Sequence, residues 1–373
     1  MRKRIKAGSL LLAMSLITSS FNVYAADIPL KDSKSAVIEE VKSFVDTYES
    51  VDISDKEKIE YIESNSSHRA LDDDISYVNM MSLLIDRNNI VQEYSVSDIT
   101  EYGKEINIEY DDISFSENEA SVSVTVTKTW NYAFSDIESG AVDNYQFELV
   151  YEDDDWKIDN IGGISNIVTD FRLQEMGDQI SIDQKNKYIS EIEDEVKQEI
   201  DRENTSDPAV NATRAAYSSA NATSYALNYA LSPNPNYADF TNLGGDCTNF
   251  ISQCLYAGGK SMHYGTAYSG NCWYYTTSTN RSSTWTGASQ FRSYVTSGSS
   301  QLNMSTSDWN NVVNGDIIQM MSGGSAYHSL IITGVAYSSY GRSDLLVCAH
   351  TSNRRHVSLS SYYSGTKAYY HVN

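Results

Sequence analysis

The spacing of hydrophobic residues predicts helices at the start of the chain. Val37, Val41, Phe44 and Val45 recur on one helix face, and charged residues occupy the opposite face. Two further helices are predicted over residues 55–64 and 75–92, where apolar residues again return every three or four positions. The first part of a globular domain in this region is therefore helical.

From residue 119 the hydrophobic period changes to two. Valine alternates with serine or threonine over residues 119–130, which predicts a half-buried antiparallel strand. Residues 144–161 predict a hairpin that turns at Asp153–Asp155. Helices followed by a curved antiparallel sheet resemble the cone-shaped α+β fold of the nuclear-transport-factor-2-like superfamily. We interpret residues 28–168 as an acidic α+β domain that serves as a spacer, a binding module or an inhibitory module.

Charge divides the chain near residue 207. The net charge is −23, yet the chain from residue 207 onward has eight basic and six acidic side chains, whereas the part before it has 19 and 44. Such a step predicts a domain boundary, with residues 169–211 as a charged helical connector and residues 212–373 as a second domain. The acidic balance argues against a nucleic-acid partner. It also suggests that the acidic domain docks on the weakly basic one.

The first 25 residues have the layout of a secretory signal peptide. Four basic residues lie among the first six, an apolar stretch runs from Ala7 to about Ile17, and Val23–Ala25 provides a small-residue cleavage site. The apolar stretch is shorter than the roughly 20 residues that span a bilayer. We therefore expect a secreted or cell-wall-associated protein without an integral membrane segment after cleavage.

Cys247 lies in the first turn of a helix predicted over residues 246–257. Asp246 is a plausible N-cap, and the positive end of a helix favours a thiolate and a developing oxyanion. Outside the cell, four cysteines also allow disulfides. We expect Cys254 in the core and Cys272 in an exposed loop, and the disulfide state of Cys254, Cys272 and Cys348 stays open.

Two histidines lie on strands that are predicted to form a hairpin. His328 begins one apolar strand and His350 ends the next, so antiparallel pairing places His328 opposite residues 350–353. His328 is therefore the predicted general base. His350, or alternatively Asn353, is predicted to orient its ring.

The segment "GGDCTNFISQCLYAGG" around Cys247 resembles the cysteine motif of the putative amidase domain family, a branch of the papain-like NlpC/P60 group of cysteine hydrolases. The segments "HSLIITGV" and "AHTSNRR" follow in the same order, and the resemblance covers about residues 212–373. It implies an α+β domain in which a helix that bears Cys247 packs on an antiparallel sheet that bears His328. It also implies an amide substrate.

These observations predict a secreted cysteine amidase or peptidase that cleaves cell-wall peptide or another extracellular amide through a thioester. An acyltransferase and a catalytically silent binding module of the same fold remain alternatives. The chain has no paired CxxC motif and its histidines lack ligand spacing, so we expect neither metal nor cofactor.

Overall fold

A computed structural model of the chain describes residues 30–94, 101–167, 170–203, 217–338, 341–362 and 366–373. The predicted signal peptide, residues 1–25, lies outside this described part. The described residues form a mixed α+β structure with antiparallel sheets. None of the helices among them is both long enough and apolar enough to cross a bilayer.

The amino-terminal elements follow the predicted order of helices and then strands. The helices are α1 (Leu30–Glu49), α2 (Asp55–Asn65), α3 (His68–Asp72), α4 (Tyr77–Tyr94), α5 (Ile164–Ile167), α6 (Phe171–Met176) and α7 (Ile182–Glu203). The strands are β1 (Ile75–Ser76), β2 (Glu101–Ser116), β3 (Glu119–Tyr132), β4 (Ser139–Glu152), β5 (Asp155–Gly162) and β6 (Ile180–Ser181).

The carboxy-terminal elements begin with two helices and end in a sheet. The helices are α8 (Ser219–Tyr229), α9 (Cys247–Ala257), α10 (Ser283–Thr286) and α11 (Ala288–Thr296), with 3₁₀ turns at Thr241–Leu243 and Leu359–Tyr362. The strands are β7 (Tyr275–Thr277), β8 (Asn280–Arg281), β9 (Met304–Ser307), β10 (Ile317–Ser322), β11 (Ser325–Ser338), β12 (Gly341–Ala349), β13 (Asn353–Ser358) and β14 (Thr366–Val372).

The amino-terminal core confirms the predicted hydrophobic periods. Val37, Val41, Phe44 and Val45 of α1 are buried in one cluster with the valines of β3, which alternate with half-buried serine and threonine. The predicted hairpin is β4–β5, and Asp153 and Asp154 adopt the left-handed backbone conformation that a tight two-residue turn requires.

The helix predicted as a connector is α7, and it packs within the amino-terminal core. Tyr188 and Ile192 are almost completely buried, and the Tyr188 hydroxyl donates to Asp170 at 2.8 Å. Asp183 and Lys187 on the opposite face of α7 are exposed, as the amphipathic pattern requires. Of the predicted connector, residues 169 and 204–211 lie outside the described part, and residues 170–181 include α6 and β6.

One antiparallel sheet runs through both halves of the molecule. Its strands follow the order β2-β3-β4-β13-β12-β11-β10-β14-β9, and β5 also pairs with β4. The first residues of β4 pair with β13, with Val142 opposite Asn353, whereas its later residues pair with β5. The two halves are therefore joined by backbone hydrogen bonds as well as by side-chain packing.

The carboxy-terminal part of the sheet is covered on both faces. One face packs against α8, α9 and α11 around Phe250, Trp285 and Phe291. The opposite face packs against Trp130 and Tyr132 from the end of β3, which belong to the amino-terminal half. The amino-terminal half thus occupies the face of the sheet that the helices leave free.

Buried charges lie where the two halves meet. Arg354 of β13 approaches Asp143 of β4 at 2.7 Å, and Lys128 of β3 reaches the second oxygen of Asp143, also at 2.7 Å. Burial alone would raise the pKa of Asp143, but Arg354 and Lys128 hold it below its ordinary value. The carboxylate therefore remains ionised within the interface.

Candidate active site

Cys247 is the first residue of α9, as predicted. The chain enters this helix through Gly244 and Gly245, whose φ angles of 100° and 108° are strained for residues with a side chain. The helix ends at Gly258. Cys247 is 6% exposed, the largest value among the four cysteines.

The Cys247 thiol lies beside β11. Its sulfur is 3.7 Å from Thr248 Oγ1, which in turn is 2.9 Å from the Ser329 hydroxyl. The nearby Ser329 backbone N–H lowers the pKa of the thiol. Pairing between β11 and β12 ends at Ile331 opposite Cys348. Ser329 is therefore not paired with β12, and the start of α9 lies beside it.

His328 precedes Ser329 on β11 and faces the other side of the sheet. Ser329 points toward the helices, so the His328 side chain points away from them, where its ring lies over Tyr362 with centroids 6.3 Å apart. Nε2 of His328 is buried without a hydrogen-bond partner. A β-bulge at Met320–Met321 of β10 interrupts the ladder opposite His328, and such irregularities re-aim side chains.

Burial shifts the pKa values of the predicted nucleophile and the predicted base in opposite directions. Burial raises the pKa of the Cys247 thiol and the Asp246 carboxylate adds to this, although hydrogen bonds from Thr248 and Ser329 oppose it. Burial, assisted by Arg354, lowers the pKa of His328 to about 4. The sequence predicted a thiolate favoured by the helix end. In the structure burial outweighs that effect, so the resting pair is a thiol and a neutral imidazole.

His350 lies beside α9 and does not bond to His328. Its Nδ1 is 2.7 Å from Asp246 Oδ2, and its Nε2 is 2.7 Å from the Tyr229 carbonyl oxygen. Extending the register from Ile331 and Cys348 would place His328 opposite residue 351, within the predicted range of 350–353, but the observed pairing ends at Ile331. However, β12 ends at Ala349 and the chain turns toward α9, which directs the His350 ring to the nucleophile side.

Asn353, the alternative orienting residue, begins β13 and pairs with Val142 of β4. Its side chain is half-buried. Its main-chain carbonyl oxygen accepts a hydrogen bond from the Arg354 guanidinium at 3.1 Å. The structure therefore places Asn353 at the junction of the two halves.

All four cysteines are free thiols. Cys254 and Cys348 are completely buried, and the prediction that Cys254 lies in the core is confirmed. The prediction that Cys272 is exposed was wrong, since it is 3% exposed. A loop that is rich in glycine and tyrosine folds back over Cys272, whose thiol lies 3.6 Å from the Thr266 carbonyl oxygen. Across the described ranges, no cluster of three or more His, Cys, Asp or Glu side chains is arranged to hold a metal ion.

The sequence did not predict how Asp246 is used. Asp246 occupies the N-cap position, but its side chain makes no capping bond to the helix backbone. Oδ1 instead accepts from the Phe240 N–H at 2.9 Å and from Asn249 Nδ2 at 2.8 Å, while Oδ2 meets His350. An acidic residue next to a candidate nucleophile was the available signal, but its partner lies 104 positions away.

Comparison with known proteins places the carboxy-terminal half in a class. Residues 216–372 match the family model described as "Putative amidase domain". This match indicates hydrolysis of an amide as the type of reaction. A Bacillus subtilis (strain 168) protein, "Uncharacterized protein YjcM", is 30% identical over 193 residues. That alignment covers 46% of this chain and 42% of the relative, so the chain spans less than half of that relative's length. No solved structure matches the chain.

Proposed function

We propose that the protein is a secreted cysteine-dependent amidase or peptidase that cleaves an amide bond through a thioester acyl-enzyme. The observation that carries the proposal is the position of the Cys247 thiol at the start of α9, 3.7 Å from Thr248 Oγ1, which is 2.9 Å from the Ser329 hydroxyl of β11. The neighbouring residue on the strand is His328, whose Nε2 has no partner and is available to accept a proton. The amidase-family match of residues 216–372 supports the same reaction type.

In the proposed reaction the Cys247 sulfur attacks the amide carbonyl carbon. The thiol proton passes to His328, which returns it to the leaving amine as the carbon–nitrogen bond breaks. Water then attacks the thioester and gives a proton to His328, the carbon–sulfur bond breaks to release the acid, and His328 returns the proton to the Cys247 sulfur. The Cys247 N–H at the start of the helix stabilises the oxyanion in both steps. The His328 ring faces Tyr362 on the other side of the sheet, so this scheme requires the ring to move to the edge of β11 beside Cys247.

The lowered pKa of His328 keeps the ring neutral but makes it a weak base for a thiol whose own pKa is raised, so the proposed transfer requires substrate binding to bring the two pKa values closer. A neutral imidazole at neutral pH is able to take the thiol proton, whereas an imidazolium is not. Activation therefore occurs during attack rather than through a pre-formed thiolate. With both nitrogens of His350 engaged, Asn353 remains the candidate for orienting His328.

The proposed fold and substrate class follow from the same features. A helix that bears the cysteine and packs on an antiparallel sheet that bears the histidine supports a papain-like arrangement of the carboxy-terminal half. The helices and long bulged strands of the amino-terminal half support a cone related to the nuclear-transport-factor-2-like fold. The basic and apolar pattern of residues 1–25 supports export, and an exported amidase fits cell-wall peptide as substrate.

We also propose that the amino-terminal half docks on the carboxy-terminal half and limits access to His328. Support comes from the pairing of β4 with β13 and from Trp130 and Tyr132, which join the apolar cluster on the His328 face of the sheet. Opposite charges at Asp143 and Arg354 favour the same contact.

A model-amide assay with cysteine variants tests the activity. Cys247→Ala should abolish hydrolysis, and the wild type should form a thioester detectable by mass spectrometry. Cys272→Ser is the matched control, because it removes another nearly buried thiol and should leave the rate unchanged. Equal rates for Cys247→Ala and the wild type would refute the cysteine mechanism.

Adding a competing amine separates the two reaction types, since an acyltransferase would give the amide of that amine instead of the acid. Cell-wall fragments treated with the wild type and with Cys247→Ala identify the substrate. A thiol-reactive probe that labels all four cysteines equally slowly, with no hydrolysis by the wild type, would favour the silent binding module.

A further inference from the structure

Asp246 and His350 form a buried pair beside Cys247 that the proposed reaction does not use. Both residues are 1% exposed, and Nδ1 of the ring is 2.7 Å from Asp246 Oδ2. The ring stacks on Phe250 of α9 with centroids 4.0 Å apart and planes 16° apart. An acidic group and a titratable ring buried this completely need each other as partners.

The hydrogen-bond partners define where the protons lie. A carboxylate and a carbonyl oxygen are acceptors, so both His350 nitrogens face acceptors. Protonated on both nitrogens, the ring would donate from Nδ1 to Asp246 and from Nε2 to the Tyr229 carbonyl oxygen. An imidazolium beside a carboxylate gives a pair with no net charge, which the interior accepts more readily than either ion alone.

The same pair fixes the turn that presents the nucleophile. Through Oδ1, Asp246 also holds the Phe240 N–H and the Asn249 amide, on either side of Cys247 in the sequence. The Asp246 N–H donates to Thr351 Oγ1 at 2.8 Å. Thr351 has a φ of 82°, which is strained for a β-branched residue and persists only where its surroundings hold it.

We propose that His350 is a positioning residue that acts through Asp246 to fix the first turn of α9 and, with it, the Cys247 thiol. The inference rests on the proposed function in that Cys247 is the nucleophile. His350 touches neither the thiol nor His328 and is therefore not a catalytic residue in this scheme. Its second role is to balance the Asp246 charge next to the sulfur.

The charge balance makes the proposal measurable. Asp246 is the charged group that acts on the Cys247 thiol from its own helix, and His328 is the titratable side chain on the adjacent strand. Without His350, the Asp246 carboxylate lacks its cation and repels a developing thiolate. A shift of one pKa unit lowers the thiolate fraction about tenfold at a given pH.

The experiment is a double-variant cycle read by alkylation of Cys247 with iodoacetamide from pH 6 to 10. His350→Gln, which keeps an amide donor but no charge, should slow alkylation about tenfold at pH 8 and move its midpoint to higher pH. Asp246→Asn combined with His350→Gln should recover most of the rate, because no unbalanced carboxylate remains. If the effects of Asp246→Asn and His350→Gln on the alkylation rate simply add in the double variant, the proposal is overturned.

A control and a wild-type measurement complete the test. His371→Gln removes another histidine–aspartate pair of the same half, with Nδ1 2.9 Å from Asp316, and should leave alkylation unchanged. If His350→Gln does not fold, ¹⁵N NMR of the wild type decides: protons on both His350 nitrogens support the pair, and a bare Nδ1 overturns it.

Kinetics distinguish this proposal from the proposed function. His350→Gln should lower kcat on the model amide with little change in KM, and the double variant should recover it. Normal hydrolysis by His350→Gln would overturn the positioning role alone. If the alkylation rates show the expected loss in His350→Gln and recovery in the double variant, but the wild type does not hydrolyse the amide, the proposed activity is overturned and the positioning role stands.

Discussion

His356 should make the protein lose stability in mild acid. The ring is 1% exposed and lies between the halves, with Nδ1 2.9 Å from Thr333 Oγ1 and Nε2 2.8 Å from Ser135 Oγ. Burial, and to a lesser extent Arg355, lowers its pKa to about 4. The folded protein therefore holds His356 neutral at a pH where an unfolded chain would protonate it.

The size of the effect follows from the two pKa values. The imidazole has an ordinary pKa of 6.5 in the unfolded chain and about 4 in the folded one. Between these values the unfolded chain binds more protons, so the free energy of unfolding falls as the pH falls. At about 1.4 kcal/mol per pKa unit, roughly 3 kcal/mol is lost across the window, and about 2 kcal/mol of it between pH 7 and pH 5.

Urea unfolding of the wild type and of His356→Asn at pH 7, 6 and 5 measures this contribution. Asparagine does not protonate in this range and tolerates the φ of 54° at this position. The wild type should lose about 2 kcal/mol more than the variant between pH 7 and pH 5. Ser135→Ala is the control, because it removes one hydrogen bond, keeps the ring and should leave the pH dependence unchanged. Parallel pH dependences for the wild type and His356→Asn would refute the reasoning.

Two further predictions concern the contact between the halves. Arg354→Met removes one cation from the buried Asp143 and should lower the free energy of unfolding by about 3 kcal/mol in urea titrations, whereas Arg355→Met, whose partner Glu138 is exposed, should cost less than about 1 kcal/mol. A loss of equal size in both variants would contradict a special role for the buried pair. Cleavage at a protease site inserted within residues 206–212 should leave the fragments together in gel filtration, because β4 pairs with β13. Separation on cleavage would refute the docked arrangement.

Local features were predictable because they depend on the period of hydrophobic residues and on turn chemistry. The α9 helix, its Gly258 terminus and the β11–β12 hairpin follow from such patterns, and all are present in the structure. The burial of Cys272 was not predictable, since it depends on how a loop folds over a distant surface.

The partner of His350 was mispredicted for a related reason. Antiparallel pairing predicts that residue 350 lies near residue 328, but the observed pairing ends at Ile331 and Cys348, and pairing does not say on which side a strand leaves the sheet. The turn at Thr351 decides this, and it is held in a strained conformation by the Asp246 N–H. A contact across more than 100 positions therefore determined a side-chain direction that no local rule contains.

The sequence by itself determined α1, α2, α4, α7 and α9, the strands β3, β4, β5, β11 and β12, the charge step near residue 207 and the candidate nucleophile at the start of a helix. These properties depend on residues within a few turns of one another, where hydrophobic period and capping chemistry act. Only the tertiary structure decided that both halves share one sheet, that His350 binds Asp246, and that burial holds Cys247 as a thiol and His328 as a neutral ring. The physical reason is that desolvation and long-range pairing depend on which surfaces meet, and that information is spread over the whole chain.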